Sequence, residues 1–273
     1  MKKRRVICIL IAALAGMAIF CYFQNNMLTV SRHEYASPKI GAALDGYKIL
    51  QISDLHSKYF GAGQKRLLAA VVAQEPDIIV LTGDMVDSRS RDPGPALAFV
   101  KGAAAIAPVY YVTGNHEHRL EAAEFAGLMR DIEEAGATVL EDRAVEIAVG
   151  DESFLLIGLF DNSLTGGTLE ELAQELDPGK LRVLLAHQPQ YISRYAAVGT
   201  GLVFAGHAHG GQIRLPLIGG LVAPGQGLFP KYTAGLYAYG QATLAVSRGL
   251  GNSLFPLRVF NRPHILCVTL RAE

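Results

Sequence analysis

Histidine and short acidic residues fall at regular places in this chain, each directly after a short apolar run. Ser53-Asp54-Leu55-His56 follows Tyr47–Ile52, and Thr82-Gly83-Asp84-Met85-Val86-Asp87 follows Ile78–Leu81. Thr113-Gly114-Asn115-His116-Glu117 follows Val109–Val112, His187 follows Arg182–Ala186, and Gly206-His207-Ala208-His209 follows Leu202–Ala205. In extended backbone, residues two apart point the same way, so Asp54 with His56, and His207 with His209, are expected to grip one ion. A mixed oxygen and imidazole set suits Mn, Fe, Zn or Co better than Ca. With no cysteine among these residues, a structural zinc site is disfavoured.

For such residues to meet, the apolar runs must be buried strands whose carboxyl ends share one rim. Between several of them lie helical windows: Gln64–Gln74, Pro95–Ala105 and Glu121–Ala135. In the first, Leu67, Leu68, Val71 and Val72 recur at helical spacing. Strands alternating with helices predict an α/β protein with its ligands at the carboxyl ends of the strands. After Gly206 the chain turns Gly- and Pro-rich, with strand-like runs at Gln241–Ser247 and Ile265–Leu270 that predict a second sheet. Gln24 to Leu44 is polar and without periodicity and reads as a linker. The expected organisation is a basic tip and anchor over 1–26, a linker over 27–44 and a catalytic domain over 45–273.

The five blocks, D-x-H, G-D-x-x-D, G-N-H-E, a lone His and G-H-x-H, occur in that order from Asp54 to His209. In this they resemble the calcineurin-like metallophosphoesterase superfamily. Gly206–Pro216 and Ser247-Arg248-Gly249-Leu250-Gly251 are similar to a membrane-anchored phosphodiesterase branch of it. The resemblance implies a four-layer α/β/β/α sandwich and a two-metal centre. One cation would be held by Asp54, His56, Asp84 and His209, the other by Asp84, Asn115, His187 and His207, with Asp84 bridging. A hydroxide shared by the cations would attack phosphorus, and His116 would protonate the leaving oxygen as general acid, oriented and charged by Asp87. The implied substrate is a phosphodiester or pyrophosphate, including a lipid-linked diphosphate such as a nucleotide-linked diacylglucosamine. A broad phosphomonoesterase and a catalytically silent metal-binding scaffold are the alternatives. The protein Ser/Thr phosphatases of the superfamily follow the second block with Arg-Gly. Ser88-Arg89 stands here instead, which argues against that subfamily. Glu117 receives no role.

Each residue also has a plainer reading by itself. Asp54 could cap a helix, Asp84 and Asn115 follow glycines and could stabilise turns, and His187 could be a satisfied buried histidine. It is the ordered recurrence at strand ends that favours the metal centre. His33, His118 and His264 lie outside the pattern and read as surface or core residues, and Arg248 and Arg258 as loop-pinning residues.

Composition sets further bounds. The chain has 273 residues, half of them hydrophobic, enough for a large core. Its 25 basic and 25 acidic residues balance, but four of the cations are Lys2, Lys3, Arg4 and Arg5. The rest carries 21 cations against 25 anions, an excess of negative charge that speaks against a nucleic-acid partner. Val6–Phe23 is an uncharged run of 18 residues. As a helix it spans about 27 Å, against roughly 30 Å for a hydrocarbon core. It reads as a single-pass anchor with the basic tip in the cytoplasm and the domain outside. A cleavable signal peptide is the alternative, with Gly16-Met17-Ala18 as a poor cleavage site. Cys8 and Cys21 lie in this segment, so Cys267 has no downstream partner for a disulfide and is expected in the core.

Overall fold

The computed structural model describes residues 2–253 and 255–273. An apolar helix, α1 (Lys2–Asn26), stands at the amino end with its apolar window exposed, and it is long enough to cross a membrane. The strands and helices that follow are β1 (Thr29–Ser37), β2 (Lys48–Ile52), α2 (Lys65–Val72), β3 (Ile78–Thr82), α3 (Gly94–Ala104), β4 (Val109–Val112), α4 (Ala122–Glu134) and β5 (Ala137–Val139). Next come β6 (Arg143–Val149), β7 (Glu152–Gly158), α5 (Thr168–Glu175), β8 (Arg182–Leu185), α6 (Ile192–Ala197) and β9 (Leu202–Ala205). Two small hairpins, β10 (Arg214–Leu215) with β11 (Gly219–Gly220) and β12 (Val222–Ala223) with β13 (Gly227–Leu228), precede β14 (Gly235–Tyr239), β15 (Ala242–Val246) and β16 (His264–Ala272).

These form two six-stranded sheets, in the orders β1-β16-β2-β3-β4-β5 and β14-β15-β9-β8-β7-β6. β2 through β5 are parallel, as are β7, β8, β9 and β15. Every residue of β3, β8 and β9 is buried, as a parallel strand covered on both faces must be. Leu67 and Val71 of α2, Phe99 of α3 and Ile132 of α4 pack on the outer face of the first sheet, within the same core that fills the space between the sheets. Leu169 of α5, Ile192 and Tyr195 of α6 cover the second sheet over Leu184, Val203 and Leu244. The result is the expected α/β/β/α sandwich, with Cys267 buried in it.

Two expectations are corrected. The stretch read as a linker contains β1, which pairs in parallel with β16 from Thr29↔His264 to Ser37↔Ala272. β1 is an edge strand whose outer face is solvated, so only Tyr35 and Ser37 are buried, and its partner lies at the other end of the chain. Neither feature leaves an apolar alternation to read. The second concerns the two late strands, which do not share a sheet. β15 joins the second, whereas β16 crosses into the first, antiparallel to β2.

Candidate metal centre

The carboxyl ends of β2, β3, β4, β8 and β9 point to one rim, and the loops leaving them carry the polar residues. The loops after β2 and β3 run side by side beyond the strands: Asp54 N–H donates to Gly83 O (3.0 Å), His56 N–H to Asp84 O (3.0 Å) and Ser57 N–H to Met85 O (3.1 Å). This rail is not extended. Asp54, His56, Asp84, His207 and His209 all have left-handed backbone, with φ between 47° and 63°. The strand-alternation argument for Asp54/His56 and His207/His209 therefore fails; Asp54 and His56 still converge on one group, whereas His207 and His209 enter different groups. Left-handed turns, each costing about 1–2 kcal/mol for an L-residue, aim the side chains instead. Such strain gathers at functional sites.

Close approach of the loops demands glycine. A Cβ on Gly206 would stand 1.9 Å from Ser53 Oγ and 2.4 Å from Asp54 Oδ2. One on Gly114 would stand 2.4 Å from Asp84 Oδ1.

Two groups of side chains meet, both buried, with candidate ligand atoms of each group within 4.8 Å of one another: Asp54, His56, Asp84 and His209, and Asp84, His187 and His207. Asp84 belongs to both. Its Oδ2 lies 3.2 Å from His187 Nε2 and 3.6 Å from His56 Nε2. His209 Nε2 lies 3.4 Å from Asp54 Oδ1 and 3.2 Å from His56 Nε2, and His207 Nδ1 lies 3.1 Å from His187 Nε2. Backbone groups set the orientation. Asp54 accepts Ser53 Oγ–H (2.6 Å) and His207 N–H (3.0 Å), and Asp84 Oδ1 accepts His116 N–H (2.8 Å). His187 Nδ1–H donates to Thr82 O (2.8 Å), which leaves Nε2 free to face Asp84. The Asn115 Oδ1 is buried without a hydrogen-bond partner.

Burial pushes His56 down to about 4 and His207 to about 3, and holds His209 well below the ordinary histidine range. These imidazoles are neutral at neutral pH, as metal ligands must be. Burial also depresses His187, but the facing Asp84 carboxylate reverses the shift and raises it well above the ordinary value. Asp84 in turn sits well below the carboxylate range, because His187 and His56 outweigh its burial. Burial and the Asp84 charge lift Asp54 to about 6. Four imidazoles and two carboxylates thus face one another at 3.1–3.6 Å, with Asn115 Oδ1 unpartnered beside them. That donor set fits divalent cations of the Mn, Fe, Zn or Co type.

His116 and Asp87 form a third grouping with His56. His116 Nδ1 accepts Ser88 N–H at 3.2 Å and lies 3.7 Å from Asp87 Oδ1. That bond favours a neutral ring with its proton on Nε2, whereas the Arg119 guanidinium, a donor 3.5 Å from Nε2, favours the other tautomer. A cavity of about 100 Å³ opens here, lined by Asp84, Asn115, His116, Arg119, His207, His209, Pro224 and Ser253.

Three functional neighbours escape a sequence reading. Glu117, wholly buried, accepts the backbone N–H groups of Asp84 (2.9 Å), Gly114 (2.9 Å) and Val86 (3.0 Å). Only its place after Asn115-His116 could have hinted at this. Arg89, the displaced arginine, is clamped on Asp87 at 3.0 and 2.6 Å and reaches Ser253 O at 2.7 Å. Arg119 brings Nη1 to 3.5 Å from His116 Nε2. Among the residues set aside as bland, Arg258 is buried and pins Gly251, Arg248 and Asn261 through their carbonyls, while His118 stacks on Phe125.

Comparison with known proteins adds to the geometry. The family model for calcineurin-like phosphoesterases matches residues 47–211. The chain is 31% identical to an uncharacterised metallophosphoesterase, YkuE, of Bacillus subtilis, over 92% of this chain and 88% of that one. It is 31% identical to the phosphodiesterase YaeI of Escherichia coli, over 95% and 94%. At 26% identity it also matches the UDP-2,3-diacylglucosamine pyrophosphatase LpxG of Chlamydia muridarum, over 89% of both chains.

Proposed function

The chain belongs to the calcineurin-like phosphoesterase family, and from that premise we propose that it cleaves phosphodiester or pyrophosphate bonds with a pair of divalent cations. As a member it is a metal-dependent phosphoester hydrolase, and the finer statements are our reading. Asp54, His56, Asp84 and His209 would hold one cation, and Asp84, Asn115, His187 and His207 the other. When bound, such a pair supplies a hydroxide nucleophile near neutral pH and screens phosphoryl oxygens.

The remaining work falls to residues of this chain. His116 presents Nε2–H to the cavity and delivers it to the leaving oxygen once the ring is cationic. Asp87 is the carboxylate near Nδ1 that stabilises that cation. Arg119 adds positive charge beside the phosphoryl group. Glu117 binds no substrate and positions the loops that carry Asp84 and Asn115.

The observation that carries this reading is Asp84, shared by two buried ligand groups where the strand ends of both sheets meet. Preference for diesters or diphosphates is supported by the Escherichia coli and Chlamydia muridarum relatives. A lipid-linked substrate is supported by the apolar helix α1, and the basic tip favours a domain outside the cytoplasm. All eight candidate metal and acid residues being present weighs against a silent scaffold. The test is the protein stripped with EDTA, reloaded with Mn²⁺, and assayed on bis-p-nitrophenyl phosphate and p-nitrophenyl phosphate. Faster diester cleavage is expected. Faster monoester cleavage would replace this reading with a broad phosphomonoesterase.

A further inference from the structure

α1 does not stand free of the folded domain at its carboxyl end. Phe20 packs edge-on against Phe260, with ring centroids 5.5 Å apart. Gln24 Oε1 accepts Asn261 N–H (3.2 Å), Asn252 Nδ2–H donates to Asn25 Oδ1 (2.8 Å), Arg66 donates to Asn26 O (2.9 Å) and Lys58 to Asn25 O. The last helical carbonyls are thereby satisfied by domain cations. Phe20 lies three residues inside the apolar run that ends at Phe23. At about 1.5 Å per residue, that is about 4.5 Å within it. Phe260, touching Phe20, is held at the same level.

Around Phe260 the domain exposes large apolar side chains. Leu217 and Ile218 form the tip of the β10–β11 hairpin, Leu228 and Phe229 the exit of the β12–β13 hairpin, and Phe255 stands in the loop before Phe260. Leu228 is 75% exposed and Phe229 68% exposed. Bonds tie these elements together. Arg214 N–H donates to Val259 O (3.0 Å), Leu221 N–H to Ile213 O (2.9 Å) and Phe229 N–H to Leu221 O (2.9 Å). Leu217, Phe229 and Phe260 also have positive φ, at 68°, 54° and 50°, a conformation that bulky residues avoid. The charge is one-sided too. From Gly206 to Pro263 the chain has five Lys and Arg and no Asp or Glu.

We propose that the two hairpins and the 255–260 loop form a second membrane-contact surface, which enters the headgroup and upper acyl region of the bilayer that α1 spans. The surface rests on the reading of α1 as a span. Outward apolar side chains in a stretch without Asp or Glu, where the exposed charge is Lys231, suit an anionic lipid interface, and the patch meets the apolar helix at the Phe20–Phe260 contact. Pro224, between the β12 and β13 strands, and Ser253, before Phe255, line the cavity at the metal centre. The mouth of the site therefore opens at the level of the lipid headgroups. A phosphoester carried by a lipid reaches it without leaving the bilayer.

The chain has no tryptophan, so a single introduced indole reports without background. The full chain would be reconstituted in vesicles of phosphatidylcholine and phosphatidylglycerol, with brominated acyl chains as quenchers. Leu228→Trp and Phe260→Trp are expected to emit at blue-shifted wavelength and to be quenched by bromines near the headgroup. Leu14→Trp, in the middle of α1, is the quenched reference. Tyr239→Trp, at the β14–β15 turn, is the reference expected to stay unquenched. Leu228→Trp matching Tyr239→Trp while Leu14→Trp is quenched would overturn the proposal, as would quenching confined to Phe260→Trp. No step depends on turnover, so the outcome is independent of whether the metal centre hydrolyses a given ester.

Discussion

The carboxylate of Glu117 braces Asp84 from behind: Oε2 accepts the Asp84 backbone N–H at 2.9 Å, while Asp84 Oδ1 accepts the N–H of His116 at 2.8 Å. With bonds from Gly114 and Val86, one buried side chain fixes the two loops that carry Asp84, Asn115 and His116. All three groups facing it are backbone donors, which a carboxylate accepts without presenting a donor of its own.

Glu117→Gln turns one acceptor into an NH₂ group against backbone N–H donors. A loss of about 1–3 kcal/mol of stability is expected from the unsatisfied donors. Metal affinity should fall about 10–100-fold, as for other groups that orient ligands. Thermal melting and metal titration read the two effects. Unchanged metal affinity in a folded Glu117→Gln protein would show that the brace does not reach the ligands.

His116→Ala should lower turnover by about 10²–10⁴-fold, the range for a general acid. The loss should be smaller for p-nitrophenolate, which leaves without a proton, than for an alkyl leaving group. An equal loss on both esters would mean that His116 only donates a hydrogen bond to phosphate. Ser88 N–H on Nδ1 favours the neutral ring, so a cationic ring must lean on Asp87.

His264 gives a pH prediction outside the metal centre. It is buried between Ser31 Oγ (2.7 Å) and the N–H of Arg248 (3.3 Å), and burial, reinforced by Arg248, His33 and Arg258, holds it well below the ordinary histidine value. Unfolding frees it to bind a proton below its unperturbed value of about 6.5. The folded state binds fewer protons there, so this contribution is complete above pH ~6.5 and is lost as pH falls. The slope approaches about 1.4 kcal/mol per pH unit. In melts between pH 7 and pH 5, His264→Gln should show a weaker acid destabilisation than the unsubstituted protein. Identical slopes would contradict the assignment.

The parallel core strands and their polar ends are legible in sequence, because strands buried on both faces read as plain apolar runs and the chemistry follows each at once. Val109–Val112 and Leu202–Ala205 are found at the boundaries read from the residues. β1 was hidden because an edge strand buries only one side chain in several and its partner β16 is over two hundred residues away. The left-handed rail at Asp54, His56 and Asp84 was hidden for another reason: non-glycine residues give no local sign of positive φ. Glu117 and Arg89 act through backbone groups and through Asp87, contacts that only the folded loops create.

Asp84 is the residue on which both candidate cations depend, so counting metal against turnover in Asp84→Asn tests the account most directly. The unsubstituted protein, stripped and reloaded with Mn²⁺, is expected to bind two equivalents and to cleave bis-p-nitrophenyl phosphate. Asp84→Asn should retain the fold, bind fewer than two equivalents and lose turnover by orders of magnitude. Full turnover in Asp84→Asn, or in the EDTA-stripped protein, would contradict a shared two-metal centre at this rim.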